Sequence, residues 1–395
     1  MKITYCCNFV NHHIEVFLFE LFAIFKENFT VIVTMALPEE QRNLGYDEMN
    51  IKYPFIIKSY ENKEAEKKAF KLAIESEVVI FGIIIEDIIK ERRNKINFII
   101  SERFLKQTYL KLLHPLYVLK ILKRHGFRKN KNSFLLSASA FAAFDFSLLR
   151  LYKNRAYKFG YFPEVKNYNL ESLFLRKINP KPKILWCSRY LKLKHPEKVI
   201  ELAEQLLQKG MEFEINMVGS GPLETKIKTL IAKKQLTDYI KLQGAVSYHE
   251  VRSFMEEANI FIFTSNRNEG WGAVVNEAMG SGCAVIAYHL IGSVPFLLHH
   301  DNNGLIYRHD KELLDYTIKC LQDADYCKKL GFNALKTITE VWNGKKAAKN
   351  FIKLLEGKLN NQKDSITEGP CSKAPRIRHD WFLKTKGNIE GIKEN

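Results

Sequence analysis

Short apolar runs alternate with stretches of helical periodicity along most of the chain. MKITYCC reads as a strand, EVFLFELFAIFKEN (Glu15 to Asn28) spaces its apolar residues as a helix does, and FTVIVTMA returns as a strand. That is a β-α-β unit whose first strand opens into the loop from Asn8 to His13. EAEKKAFKLAIESE and VVIFG repeat it as helix then strand. NFIISE is a further strand ending in polar residues, SFLLSASAFAAFDFSLLR mixes strand and helix, and AYKFGYFPEV leads into a polar connector with two prolines, VKNYNLESLFLRKINPKPK. The alternation then restarts. KILWCSRY, FEINMVGSG, YIKLQGAV, IFIFTS and CAVIAYH read as strands. HPEKVIELAEQLLQKG, PLETKIKTLIAKKQ and YHEVRSFMEEA read as the helices between them, the first with Pro196 near its start and Gly210 at its end. Strands alternating with helices predict parallel sheets covered on both faces. The pattern therefore predicts an α/β protein of two doubly wound, Rossmann-like domains facing each other across a cleft. They span 1–165 and 183–357, with a linker over 166–182. From 358 to 395 the apolar periodicity is lost, which predicts a flexible polar tail.

Composition adds a partner class. The 395 residues carry a formal net charge of +17, which points to an anionic partner. Thirteen Lys or Arg against two Glu lie between Lys90 and Lys131. Within that stretch, RFLKQTYLKLLHPLYVLKILKRHGFRKNK interleaves Leu, Tyr, Phe and Val with the cations, and Pro115 must break or kink any helix there. A basic amphipathic surface with aromatics fits an anionic membrane face; a solvated basic helix packed on its own domain is the other reading. No recognised nucleic-acid motif accompanies the charge, so no nucleic-acid partner is expected. The seven cysteines include no C-x-x-C and read as reduced thiols. MKITYCCNFVNHH lacks the apolar run of a signal peptide, and no apolar run reaches the ~20 residues of a membrane span. The expectation is a cytoplasmic protein, peripheral at the inner face of the plasma membrane.

Ligands of open α/β sheets bind at the carboxyl ends of strands, and three polar motifs sit there. SRYLKLK puts Arg189 and Lys194 after ILWC, GSGP (Gly219 to Pro222) follows INMV, and SNRNEGWGAVVNEAMGSG follows FIFT. In the last, Gly270 and Gly272 let backbone approach a ligand closely. A helix starting near Ala273 presents the amides around Gly272 to Val275 to a phosphate. Glu269 precedes that helix and Glu277 lies one turn inside it, where a carboxylate is favoured and can accept two hydrogen bonds from a vicinal diol such as ribose. Arg189 and Lys194 would supply cationic donors for a diphosphate. Taken singly, each has an ordinary reading: a strand–helix turn, solvated charges, an exposed helix residue. Their order and spacing together point to a site.

With those residues in view, Lys183 to Glu356 resembles the C-terminal domain of retaining, nucleotide-sugar-dependent glycosyltransferases of the GT-B fold, glycosyltransferase family 4 or group 1. That family carries Arg-x4-Lys, Gly-x-Gly and Glu-x7-Glu, here Arg189 and Lys194, Gly219 and Gly221, and Glu269 and Glu277. The resemblance implies that Arg189 and Lys194 neutralise the donor diphosphate, Glu277 binds the ribose hydroxyls and Glu269 binds donor-sugar hydroxyls near the reacting carbon. The backbone of Gly270, Trp271, Gly272, Ala273, Val274 and Val275 would complete the cradle, with the base near Gln243 to Val246. It further implies a metal-independent hexosyltransferase without cofactor, whose acceptor is a glycan or a lipid-linked glycan of surface polysaccharide assembly. The sequence departs from the family at His195, which stands where glycine usually follows the lysine and predicts a slightly altered turn. It departs again at NFVNHH, which lacks the Gly-Gly of many relatives. His12 and His13 in that loop, with Glu102 and Arg103 at another strand end, are the acceptor-side candidates. A basic nucleic-acid- or membrane-binding protein without transferase activity and a sugar-nucleotide epimerase on the same fold are the rival readings. Hydrolysis by two carboxylates held about 5 Å apart is disfavoured by eight positions of separation across a helix start.

Overall fold

The computed structural model describes residues 1–43, 48–125 and 131–385. Its first sheet contains β1 (Ile3–Cys7), β2 (Phe29–Val33), β3 (Ile56–Lys58), β4 (Val78–Phe81), β5 (Ile96–Ser101), β6 (Ser133–Ser137) and β7 (Ala156–Lys158), in the order β3-β2-β1-β4-β5-β6-β7. The second contains β8 (Lys183–Cys187), β9 (Glu214–Val218), β10 (Ile240–Gly244), β11 (Ile260–Phe263), β12 (Ala284–Tyr288) and β13 (Leu305–Tyr307), in the order β10-β9-β8-β11-β12-β13. All of these pairings are parallel. The central strands are buried along their length, as strands covered by helices on both faces must be. Strand order reverses between β1 and β4 and between β8 and β11, and a crevice opens at such switch points. The loops after β1, β8 and β11 therefore meet at one place.

The chain after the second sheet departs from the expected boundaries. The helix Gly344–Leu359 lies along the helix Glu15–Phe25 of the first domain; a Cβ on Gly344 would stand 2.7 Å from Val16. Phe351 meets Phe17 and Phe98 at ring separations of 5.9 and 4.9 Å. Residues 360–385, expected as a flexible tail, pack instead: Cys371 and Phe382 are 1% and 4% exposed. The Cys371 amide donates to Lys158 O at 2.6 Å and the Lys158 amide to Ser372 O at 2.7 Å, so this segment covers the open edge of β7. An unpaired edge is a row of donors and acceptors waiting for a partner, which is why a polar stretch orders there. Trp381 Nε1 then donates to His289 O in the second domain at 3.1 Å. Residues 386–395 of the expected tail lie outside the described residues.

The linker is also docked. The buried Lys177 donates from Nζ to Met255 O at 2.9 Å and to Ala258 O at 2.7 Å, and the buried Glu256 accepts from Lys166, Tyr168 and Arg176. These contacts hold residues 166–177 against the second domain.

Buried histidines predict acid lability, and two of them lie away from the cleft. Burial pushes the His125 imidazole down to about 3 and, with Arg308 next in weight, that of His289 to about 4. Both pKa values are depressed on folding, so the unfolded chain binds more protons below about pH 6.5. Their contribution to stability is then fully present above that pH and is lost as pH drops towards 4, by about 1.4 kcal/mol per unit for each histidine. Melting temperature measured from pH 8 to 5 should fall below pH 6.5, and His125→Gln should flatten the fall; a midpoint independent of pH in this window contradicts it.

Candidate active site

The switch-point loops enclose a cleft of about 820 Å³, within the size range of small-ligand sites. Arg189, Lys194, Gly219, Gly221, Glu269, Gly272, Ala273, Val274 and Glu277 line it from the second domain, and His12 and His13 from the first. Most of the residues singled out by sequence thus share one cavity.

Each motif is positioned by backbone geometry. Gly219 and Gly221 have φ of 131° and 149°, and a Cβ on Gly219 would stand 2.0 Å from Ser188 O. The GSGP turn is thereby pressed onto the loop that carries Arg189, which glycine alone permits. Lys194 forms an ion pair with Glu269 and stands 5.2 Å over the Phe263 ring. His195 takes the left-handed conformation that glycine favours, φ 50° and ψ 53°. Its Nδ1 lies 2.8 Å from Glu197 Oε1 and its Nε2 3.0 Å from Asn266 Nδ2, which hold it there.

Glu277 is buried on the helix Val274–Met279. His12 Nε2 and His13 Nδ1 approach its Oε1 at 3.6 and 3.9 Å. Burial pushes its carboxyl up, yet the opposing pull of His12, His13 and Arg252 prevails and holds it below the usual carboxylate range. Burial, then His12, lowers the His13 imidazole to about 3.

Several expected positions differ. The Val275 amide donates to Gly272 O at 3.0 Å, so it closes a turn and is not offered to a ligand. Trp271 is 1% exposed, its Nε1 bonded to Asn276 Oδ1 at 2.9 Å and its ring beside Trp342 at 5.9 Å. A Cβ on Gly160 would lie 2.2 Å from the Trp271 ring, so glycine there admits the indole between the domains. Gly270, Trp271 and Val275 therefore shape the loop without lining the cleft. The Gly270 requirement is one of close approach: a Cβ would overlap the Glu102 carboxylate at 1.8 Å. Glu102 accepts from Tyr161 at 3.0 Å and Lys106 at 2.6 Å and so stands beside the Glu269 loop. Arg103 is a correction. Its side chain is fully buried, pairs with Asp145 at 3.4 Å and lies 4.8 Å over the Phe141 ring, which removes it from any acceptor.

Two residues were not legible in advance. Tyr248 lines the cleft with its ring 4.6 Å from that of His12. The buried Arg252 donates to Tyr248 Oη at 2.9 Å, Glu164 O at 3.1 Å and Glu277 O at 3.4 Å. An arginine among apolar residues in VRSFM was the one available signal.

Against this geometry, the family described as glycosyl transferases group 1 matches residues 172–337. Residues 172–337 are thus similar to a group 1 glycosyl transferase domain. It is 28% identical over 148 residues to a putative colanic acid biosynthesis glycosyltransferase of Escherichia coli K12, covering 36% of each chain. It is 31% identical over 152 residues to an amylovoran biosynthesis glycosyltransferase of Erwinia amylovora, covering 37% of this chain and 36% of that protein. The match thus spans about a third of these relatives' length. Anabaena HepE, solved in complex with UDP and glucose, superposes with a TM-score of 0.66 at 13% identity over 90% of this chain and 100% of its own. The fold is accordingly GT-B.

Proposed function

We propose that this protein is a retaining, metal-independent glycosyltransferase. It moves a hexose from a UDP- or GDP-linked donor to a glycan or lipid-linked acceptor in surface polysaccharide biosynthesis. The observation that carries the proposal is the convergence of Arg189, Lys194, Glu269 and Glu277 with the GSGP turn on one interdomain cleft. Departure of a nucleoside diphosphate puts negative charge on its phosphates, and fixed cations at that point stabilise the transition state. Arg189 and Lys194 take that role, with Lys194 leaving Glu269 for the diphosphate and freeing Glu269 for the donor sugar. Glu277 takes the ribose diol, and the base lies against Ala245 and Val246, which line the same cleft. His12 and His13 close the cleft from the acceptor domain, and Glu102 orients the acceptor. The named relatives in colanic acid and amylovoran biosynthesis support the polysaccharide class. Incubation with UDP- and GDP-sugars and a lipid-linked acceptor tests the proposal. It predicts acceptor-dependent release of nucleoside diphosphate and an α-linked product from an α-linked donor by NMR. Release of free sugar without acceptor, or an inverted product, contradicts it.

The same protein is proposed to work at the inner face of the membrane. No helix of the described residues is long and apolar enough to cross a bilayer. Pro115 begins the helix Pro115–Arg124, and Leu110, Leu113, Leu116 and Leu119 are 69%, 78%, 71% and 58% exposed beside Lys111, Lys120, Lys123 and Arg124. Exposed leucines of this density mark an interaction surface, and the cations select anionic lipid. Arg92 and Arg103 of the same basic stretch are buried and take no part, while Arg128 and Lys129 lie outside the described residues. Leu113→Ser with Leu116→Ser should abolish cosedimentation with phosphatidylglycerol vesicles; unchanged cosedimentation contradicts the surface.

A further inference from the structure

His12, His13 and Glu277 are drawn from different domains, yet their ligating atoms all lie within 4.8 Å of one another. We infer that these three residues form a binding site for a divalent transition ion, zinc above all, which bridges the two domains and excludes nucleotide from the cleft. Zinc takes imidazole nitrogen and carboxylate oxygen at about 2.0–2.1 Å in a tetrahedron, which sets neighbouring ligand atoms about 3.4 Å apart. Here Glu277 Oε1 stands 3.6 Å from His12 Nε2 and 3.9 Å from His13 Nδ1. Contraction by a few tenths of an ångström brings the two Glu277 edges to that geometry, and rotation of the two imidazoles, whose ligating atoms stand within 4.8 Å of each other, closes the third edge. The separations are too long for hydrogen bonds, and Glu277 Oε1 accepts none although its side chain is 8% exposed. His13 Nδ1 is likewise without a hydrogen bond. A buried carboxylate oxygen and an imidazole nitrogen facing each other unbonded are a donor set that a cation satisfies.

The rings are held in place by their surroundings. Tyr248 packs on His12 at 4.6 Å and Tyr161 stacks on His13 at 5.8 Å. Two imidazoles and one carboxylate suit zinc rather than magnesium or calcium, which prefer oxygen throughout. Three protein ligands leave a fourth position to solvent. Because the ion uses the carboxylate assigned to ribose, zinc and nucleotide compete, and each weakens the other by the same factor. The ion is an inhibitor in this account and takes no part in transfer. The metal site is established or lost by zinc binding alone; the competition rests on the proposed nucleotide reading.

Calorimetric titration of zinc chloride into tag-free, chelator-treated protein is the test. The expected result is binding of one equivalent, weakened more than about tenfold in both His13→Ala and Glu277→Gln and unchanged in His249→Ala, which removes an exposed histidine. Metal-free melting temperatures of the variants verify that they are folded. No binding by the wild-type protein, or equal affinity in all variants, overturns the site. Saturating UDP should lower the zinc affinity at least tenfold. Zinc binding that needs His13 and Glu277 but ignores UDP contradicts the shared use of Glu277, and so the nucleotide reading, while upholding the metal site.

Discussion

Glu277→Ala is expected to weaken binding of the donor nucleotide by about 100-fold. A charge-assisted hydrogen bond contributes about 1.5–3 kcal/mol, and a carboxylate gripping a vicinal diol makes two. Taking the lower value for each gives about 3 kcal/mol, or roughly two decades of affinity. The side chain is pre-positioned for that grip. Its helix is anchored by the Arg252 bond to Glu277 O and by the 2.9 Å bond of Ser281 Oγ to the same carbonyl. Burial opposes ionisation of the carboxyl, and the contacts with His12 and Arg252 outweigh it. The substitution also leaves the two histidines facing a void, so the melting temperature of the free protein should be compared in the same experiment. Affinity unchanged within threefold in a folded variant contradicts the assignment.

Glu269→Gln is expected to act on the other axis. Nucleotide affinity should stay within a few-fold, while kcat falls by about 10²–10³, the range seen when one preorganised polar contact to a reacting centre is removed. In the free protein Glu269 holds Lys194. Glutamine keeps the volume and the hydrogen bond and loses the charge, so Lys194 should turn to the diphosphate with less competition. A reading in which Glu269 only anchors Lys194 predicts the opposite split, with a raised KM and little change in kcat. Measuring kcat and KM separately distinguishes the two.

The sequence carried the site further than it carried the ends of the domains. The Glu269 and Glu277 pair was legible because a glycine turn between a strand and a helix has few conformations, and Gly272 adopts the φ of 84° that such a turn requires. The alternation of strands and helices likewise defines two parallel sheets, and sheet order places the loops after β1, β8 and β11 together. Periodicity, however, gives a helix an apolar face without saying what that face covers. Gly344–Leu359 therefore read as part of the second domain although it packs on the first. The segment around Cys371 orders by backbone pairing to β7, and backbone hydrogen bonds leave no mark on side-chain pattern. Arg103 was misread for a related reason. A cation at a strand end suggests a ligand site, but Asp145, which neutralises it, is forty-two positions away in the chain. Val275 failed on a finer scale, since whether an amide closes a turn or faces a ligand depends on dihedral angles that composition does not set. Tyr248 reaches the cleft, and Arg252 braces Glu277 behind it, from a helix whose amphipathic pattern looked sufficient by itself.

The central claim is that a nucleoside diphosphate binds in the interdomain cleft on Glu277. Its most direct test is a thermal-shift panel of UDP, GDP, ADP, CMP and their common sugar derivatives, run in EDTA to remove adventitious zinc. A ligand that binds only the folded protein at 100 times its dissociation constant adds about 2.7 kcal/mol of stability. The account predicts a rise in melting temperature with UDP or GDP and its sugars, retained in Glu269→Gln and lost in Glu277→Ala. No rise with any nucleotide, or an equal rise in folded Glu277→Ala, would contradict it.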